Sequence, residues 1–186
     1  GGTLVDLMVP SAEHAALKAS ATKTLECSDR NACDVELLVV GGFSPLRGFM
    51  HQEDYNAVVS GHRTSAGHLF GLPIVMDTDR DDVVVGDKLL LTYKGQELAL
   101  LEVEDKWEPN KVAEAQGCYG TTSLEHPAVR MIAMERKCFY LGGTLKGLEL
   151  PNRVFPCKTP AEVRSALPHG EDVVAFQCRN PIHRAH

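Results

Sequence analysis

Glycine and polar turns cut this 186-residue chain into short apolar pieces, and that punctuation limits the fold more than any other feature. The longest unbroken apolar runs, such as Leu37–Val40 and Leu98–Leu101, are four residues. A membrane-spanning helix needs about 20, so no span is expected. Short runs bounded by turn residues are instead the pattern of short strands. Over the first 150 residues, Val35–Val40 and Leu72–Met76 read as strands. Lys88–Thr92, the turn Lys94-Gly95-Gln96 and Glu97–Val103 read as a hairpin. Phe139–Leu141 and Leu145–Leu150 read as a strand pair flanking Gly142-Gly143. Helices are expected at Glu53–Val59 and Lys111–Gln116. With 44% hydrophobic and 24% charged residues, the composition is that of a folded chain and argues against disorder, collagen-like repeats and a disulfide scaffold.

The pattern changes after residue 150. Thr159-Pro160-Ala161-Glu162 carries the marks of a helix start: Thr as N-cap, Pro at the first helical position and Glu at the third, a capping box. The helix is expected to run to about Leu167 and to stop at Pro168-His169-Gly170. Asp172–Phe176 then reads as a buried strand of a parallel sheet. Helix, buried strand and a loop into another helix open an α/β domain. A boundary is therefore placed near residues 151–158, dividing a β-rich domain over 1–153 from the beginning of an α/β domain over 154–186. Gly1 in place of Met, and a helical signal at Pro181–His186 that is not completed, make both ends read as cuts.

The segment Gln177–His186 carries the chemistry. In open α/β sheets, residues directly after a buried strand line the crevice where ligands bind. Pro181 suits a first helical turn, whose free amides and positive dipole end attract anions. His183 and His186, three apart, share one face of that turn. Arg179 offers a planar fork matched to tetrahedral oxyanions, and Gln177 and Asn180 add neutral donors. These are ingredients for binding phosphate or sulfate groups. No G-x-x-x-x-G-K-[ST] segment is present, so a nucleotide here would not use a P-loop. Spacing alone leaves other readings of the histidines open: capping or solvating a helix, or a zinc pair without a nearby third ligand.

Charge bears on partners. Nineteen Lys and Arg against 25 Asp and Glu give a formal net charge of −6, which disfavours grip on a nucleic-acid backbone. Residues 1–129 hold 10 basic and 20 acidic side chains, residues 130–186 hold 9 and 5. The basic end could draw a small polyanion, and surface scatter explains it equally well. The six cysteines, at 27, 33, 118, 138, 157 and 178, form no C-x-x-C pair. They are expected to be reduced thiols, mostly small buried groups, and not a metal site.

Gln177-Cys178-Arg179-Asn180-Pro181-Ile182-His183-Arg184-Ala185-His186 resembles the Q-x-R-N-P-x-H-x-x-H signature of the ATP sulfurylase, or sulfate adenylyltransferase, family. Gly41–Met50 (GGFSPLRGFM) resembles that family's G-F-S-P-L-x-G-F-M stretch. Gly1–Val5, Leu72–Ile74, His126–Val129 and Phe139–Gly143 fall in the family's order. The resemblance implies a mixed fold: a β-rich PUA-like N-terminal domain followed by the start of a Rossmann-like nucleotidylyltransferase domain. It implies transfer of the adenylyl group of ATP, with Mg²⁺, to sulfate, giving adenosine 5′-phosphosulfate and pyrophosphate. By resemblance, Arg179, Asn180 and Cys178 are the catalytic positions. Gln177 and Arg179 would hold sulfate, and Asn180, His183 and His186 the ATP phosphates. Cys178 stands where the family often has Thr, and a thiol is the weaker donor, so a contact there would run through the backbone. The family is often homo-oligomeric, and neither nucleic acid nor membrane is an expected partner. A cytoplasmic setting, or a plastid stroma, fits the reduced thiols. The 186 residues alone are expected to have little or no activity, because the family completes its site further along.

PUA-like domains can bind RNA, so an RNA-binding or purely structural module is the rival reading, and the acidic first 129 residues argue against it. Gly41–Met50 is expected to be a turn pinned into the core by Phe43, Leu46, Phe49 and Met50, with Arg47 the possible ligand contact. His14, His51, His62, His68, His126 and His169 are assigned no chemistry, and Trp107 is expected to pack in a core or against a domain.

Overall fold

In the computed structural model, residues 2–168 and 170–174 are described. Along the chain they form α1 (Ser11–Ala19), β1 (Lys23–Glu26), α2 (Asp29–Val39), β2 (Gly48–Phe49), α3 (Gln52–Gly61), β3 (Met76–Thr78), β4 (Lys88–Tyr93), β5 (Gln96–Trp107), α4 (Lys111–Tyr119), α5 (Pro127–Met134), β6 (Phe139–Gly147) and α6 (Pro160–Ala166). Six strands make one sheet in the order β1-β4-β5-β6-β2, with β3 also paired to β6. Only β1 and β4 run parallel; the other pairs are antiparallel.

The hairpin at the centre forms where the sequence places it. Lys94 and Gly95 take φ values of 48° and 81°, the positive values that let a two-residue turn match strand twist. Leu98–Leu101 is buried at every position, because α2 and α3 both pack on β5. Helices α3 and α4 contain the expected Glu53–Val59 and Lys111–Gln116.

Three strand expectations are corrected. Val35–Val40 lies in and after α2. Ser28 caps that helix by accepting from the Asn31 amide at 3.1 Å, and Ala32, Val35, Leu38 and Val39 recur at helical spacing on its buried side. The apolar run Leu37–Val40 hid this period. Leu72–Met76 begins in a bend and enters the sheet only at Met76; Pro73 has no N–H for a ladder. Phe139–Leu141 and Leu145–Leu150 are not a pair: one strand, β6, runs through Gly142-Gly143 and ends at Gly147. Those glycines are there for close approach. A Cβ on Gly142 would lie 2.5 Å from the Met50 carbonyl oxygen and 2.8 Å from His51 Cα, and one on Gly143 would overlap the Glu102 carbonyl oxygen. The register of β5 against β6 shifts there, between Val103 and Asp105.

Asp172–Val174, the described part of the expected buried strand, is in no strand, and Val173 and Val174 are exposed. Among the described residues no sheet edge pairs with this segment, and a parallel strand without a neighbour has neither ladder nor cover. Ala175 and Phe176 lie outside the described residues. Helices α1 and α5 and strands β1 and β2 have no counterpart among the elements the sequence predicts. Trp107 is buried, as expected, with its ring 5.5 Å from Tyr55 and 6.0 Å from Tyr140. Of the five described cysteines only Cys27 is buried, Cys118 is intermediate, and Cys33, Cys138 and Cys157 are exposed, contrary to mostly buried thiols. Among the described residues no helix is long and apolar enough to cross a membrane.

Candidate functional site

The expected site residues Gln177, Cys178, Arg179, Asn180, His183 and His186 lie outside the described residues, and so does His169. What is described is the approach to them. Asn152 donates its amide to Gln96 Oε1 at 3.0 Å, and Arg153 forms an ion pair with Glu36 on α2. That bond holds the Arg153 guanidinium well above the ordinary arginine range. Helix α6 then starts on the anticipated capping box: Thr159 Oγ1 accepts from the Glu162 amide at 3.3 Å, and Glu162 Oε2 accepts from the Thr159 amide at 2.7 Å. Each half satisfies an amide the helix cannot, and the Thr159 amide and hydroxyl, both donating to Glu162 Oε2, hold that carboxyl below its usual range.

Gly41–Met50 is the pinned turn that the sequence predicts. Ser44 Oγ accepts from the Val5 amide at 2.9 Å and donates to the Gly41 carbonyl at 2.7 Å. The Ser44–Pro45 bond is cis. Leu46, Phe49 and Met50 are buried, and Phe43 packs on Phe70 with ring centroids 6.2 Å apart. Arg47 is exposed, at the mouth of a cavity of about 360 Å³ that also touches His51, Asp54, Thr64 and His68. His51 bonds Glu104 at 2.8 Å, and Glu104 accepts from Thr144 at 2.8 Å. Ring nitrogens of His14 and His62 meet the carbonyls of Val9 and Gly71, and the His126 ring packs against Tyr119. These are structural roles, as expected.

Two buried polar clusters have no local mark in the sequence. Arg136 Nη1 donates to Asp77 Oδ1 at 2.9 Å, with both side chains 8% exposed. Asp77 also accepts from Asn31 Nδ2 at 3.1 Å and from the Lys137 amide at 2.9 Å. These residues border a cavity of about 320 Å³ at the start of α2. Deeper in, Glu114 accepts from the hydroxyls of Tyr55 (2.9 Å) and Tyr140 (3.0 Å). Burial pushes its carboxyl up, while the two hydroxyls oppose the shift. The partners stand 26 to 60 positions apart, so no local spacing could mark them.

Near Arg136, burial pushes the Asp34 carboxyl up to about 6, against the pull of Arg136 and Arg30. A carboxyl raised in the folded state binds protons more tightly there than in the unfolded chain, where its pKa is about 3.9. Ionised Asp34 therefore weakens the fold, fully above about pH 6 and not at all below about pH 4. Asp34→Asn should be more stable than the parent chain by on the order of 1–2 kcal/mol at pH 7, allowing for solvent screening. The gain should vanish near pH 4. Urea unfolding across that range checks this, and a pH-independent difference would sink it.

Among the described residues, no group of three or more His, Cys, Asp or Glu side chains could hold a metal ion. A twisted, mostly antiparallel sheet with short helices on it, built over the first 150 residues, is one known class of domain. Residues 1–150 match the PUA-like domain family, and the chain belongs to that family. Its curated relatives narrow the class. The whole chain is 41% identical to a sulfate adenylyltransferase of Chaetomium globosum and 38% identical to one of Phaeosphaeria nodorum, spanning 35% of each. It is 39% identical to a probable bifunctional SAT/APS kinase of Sorangium cellulosum, spanning 34% of it. The resemblance carried by Gly41–Met50 and Gln177–His186 is borne out by these relatives. The chain thus spans about a third of the length of the curated relatives it matches. Among solved structures, a hexameric APS kinase from Thiobacillus denitrificans superposes with a TM-score of 0.66 at 26% identity, covering 88% of this chain and 30% of that one.

Proposed function

We propose that this chain is the N-terminal portion of a sulfate adenylyltransferase. The observation that carries the reading is similarity of 38–41% to such enzymes along the entire chain, including the segment Gln177–His186. The β-rich domain occupies 1–153, and 154–186 begins a Rossmann-like catalytic domain. Gln177 and Arg179 hold sulfate. Asn180, His183 and His186 hold the ATP phosphates, and a backbone group at Cys178 completes the contact.

In the reaction a sulfate oxygen forms a bond to the α-phosphorus of ATP. The bond from that phosphorus to the bridging oxygen breaks, and pyrophosphate leaves with the electron pair; no proton need move. Sulfate is a poor nucleophile, so the rate comes from alignment and from cationic donors around the leaving pyrophosphate. Gln177–His186 contains no carboxylate, so these residues do not fit a resident Mg²⁺. The metal enters as MgATP, the substrate.

The parent enzyme is cytoplasmic or stromal and homo-oligomeric, and binds neither nucleic acid nor membrane. The rival reading, an RNA-binding or structural module, has the weaker support, because residues 1–129 hold 20 acidic side chains against 10 basic.

The test is a chimera in which this chain replaces the matching third of the Chaetomium globosum enzyme. It should catalyse sulfate-dependent exchange of pyrophosphate into ATP, and Arg179→Ala in it should lower kcat/KM by about 10²–10³. The 186 residues alone should show no exchange. Undiminished exchange in the Arg179→Ala chimera would refute the assignment.

A further inference from the structure

One cleft has electrostatics opposite to those of the domain around it. Between the N-terminal segment, the turn after Ser44 and helix α6 lies a cavity of about 750 Å³. Its polar lining residues include Thr3, Arg47, His68 and Arg164, and its apolar ones Pro45 and Leu69. Among the described residues no carboxylate lines it, although acidic side chains outnumber basic ones two to one over residues 1–129. Among the described residues the arginine ion pairs belong to Arg80, Arg136 and Arg153. Arg47 and Arg164 have none. The cavity next to it shares Pro45, Arg47 and His68 and contains Asp54, but that carboxylate already accepts from the Ser65 amide at 2.8 Å and its hydroxyl at 2.6 Å.

Two guanidinium groups with no ion pair among the described residues share one cleft with the Thr3 hydroxyl and the His68 imidazole, and together they offer donors to an anion. Each planar fork matches one tetrahedral oxyanion, and the space exceeds what a single phosphate fills. We infer that this cleft is a second anion site, for a small molecule carrying a diphosphate group, inorganic or linked to a nucleoside. It takes one wall from the PUA-like domain and one from α6, so a bound diphosphate ties α6 to that domain. The inference rests on Arg47 and Arg164 and does not depend on the reaction proposed above.

Calorimetric titration of the 186-residue chain with sodium pyrophosphate, and separately with ADP, tests this. Saturable pyrophosphate binding is expected, falling as salt is raised. Arg47→Ala and Arg164→Ala should each weaken it about ten- to a hundredfold, while Arg179→Ala leaves the binding that depends on Arg47 and Arg164 in place. Tighter binding of ADP than of pyrophosphate would identify a nucleoside-linked ligand, using the apolar side at Pro45 and Leu69. Equal or weaker ADP binding would identify the inorganic ion. Both arginines are exposed, so the variants should fold, which circular dichroism checks. Arg47→Lys, which keeps charge but loses the fork, should also weaken binding. Absence of saturable binding would overturn the proposal. So would binding lost in Arg179→Ala and retained in the Arg47 and Arg164 variants, which would assign the anion to Gln177–His186. Exchange by the chimera does not read this cleft, so the two readings fail separately.

Discussion

Arg136→Met is expected to lower folding stability by about 3–5 kcal/mol, the cost of leaving one member of a buried ion pair without its partner. The substitution keeps most of the apolar stem and removes the bond to Asp77, whose side chain is 8% exposed. Asp77 would retain Asn31 Nδ2 and the Lys137 amide, neutral donors that do not offset a buried negative charge. The double variant Arg136→Met/Asp77→Leu should recover much of the loss, because replacing a buried pair with apolar groups is often near neutral. Chemical denaturation of the parent, the two single variants and the double variant measures the coupling. Strictly additive losses would show that the pair does not act as a unit.

Gly143→Ala should be comparably damaging, at about 3 kcal/mol or more, through overpacking. The added Cβ would overlap the Glu102 carbonyl oxygen and approach the Glu104 amide at 3.0 Å. Both are backbone atoms of β5, so no side-chain rotation can relieve the overlap; the strands must separate at the register shift between Val103 and Asp105. Gly71→Ala is the control: nothing lies within 4 Å of its added Cβ, and stability should change by less than about 0.5 kcal/mol. Equal unfolding midpoints for the two variants would contradict the close-approach account of β6.

What the sequence made legible follows from the range of the forces involved. The hairpin at Lys94-Gly95 and the capping box at Thr159-Glu162 are local: their bonds join residues a few positions apart, and residue type alone selects them. Helix α2 was misread because four consecutive apolar residues satisfy a strand as well as a buried helix, and the deciding evidence, the Ser28 cap, lay seven residues earlier than Val35. Gly142-Gly143 looked like a turn because glycine's meaning depends on what comes close to it, and here that is the backbone of Met50, His51 and Glu102. For the site, the Gln177–His186 motif was readable as an ordered set of donor types. The arginine cleft was not, because Arg47 and Arg164 are 117 positions apart and only the placement of α6 brings both to it.

The sheet's strand lengths also bear on how it behaves beside copies of itself. Its outermost members are its shortest: β1 has four residues and β2 two, with β3 adding three beside β6. The longest strand, β5, with twelve residues and the apolar run Leu98–Leu101, is enclosed between β4 and β6. An incoming strand would therefore find only brief ladders, and at β1 it would meet Lys23 and Glu26, charged side chains of the kind that blunt sheet edges. The uninterrupted apolar run Leu98–Leu101 thus lies on a strand whose two edges are already paired, so it can meet a strand of another copy only after β5 is released from β4 or β6.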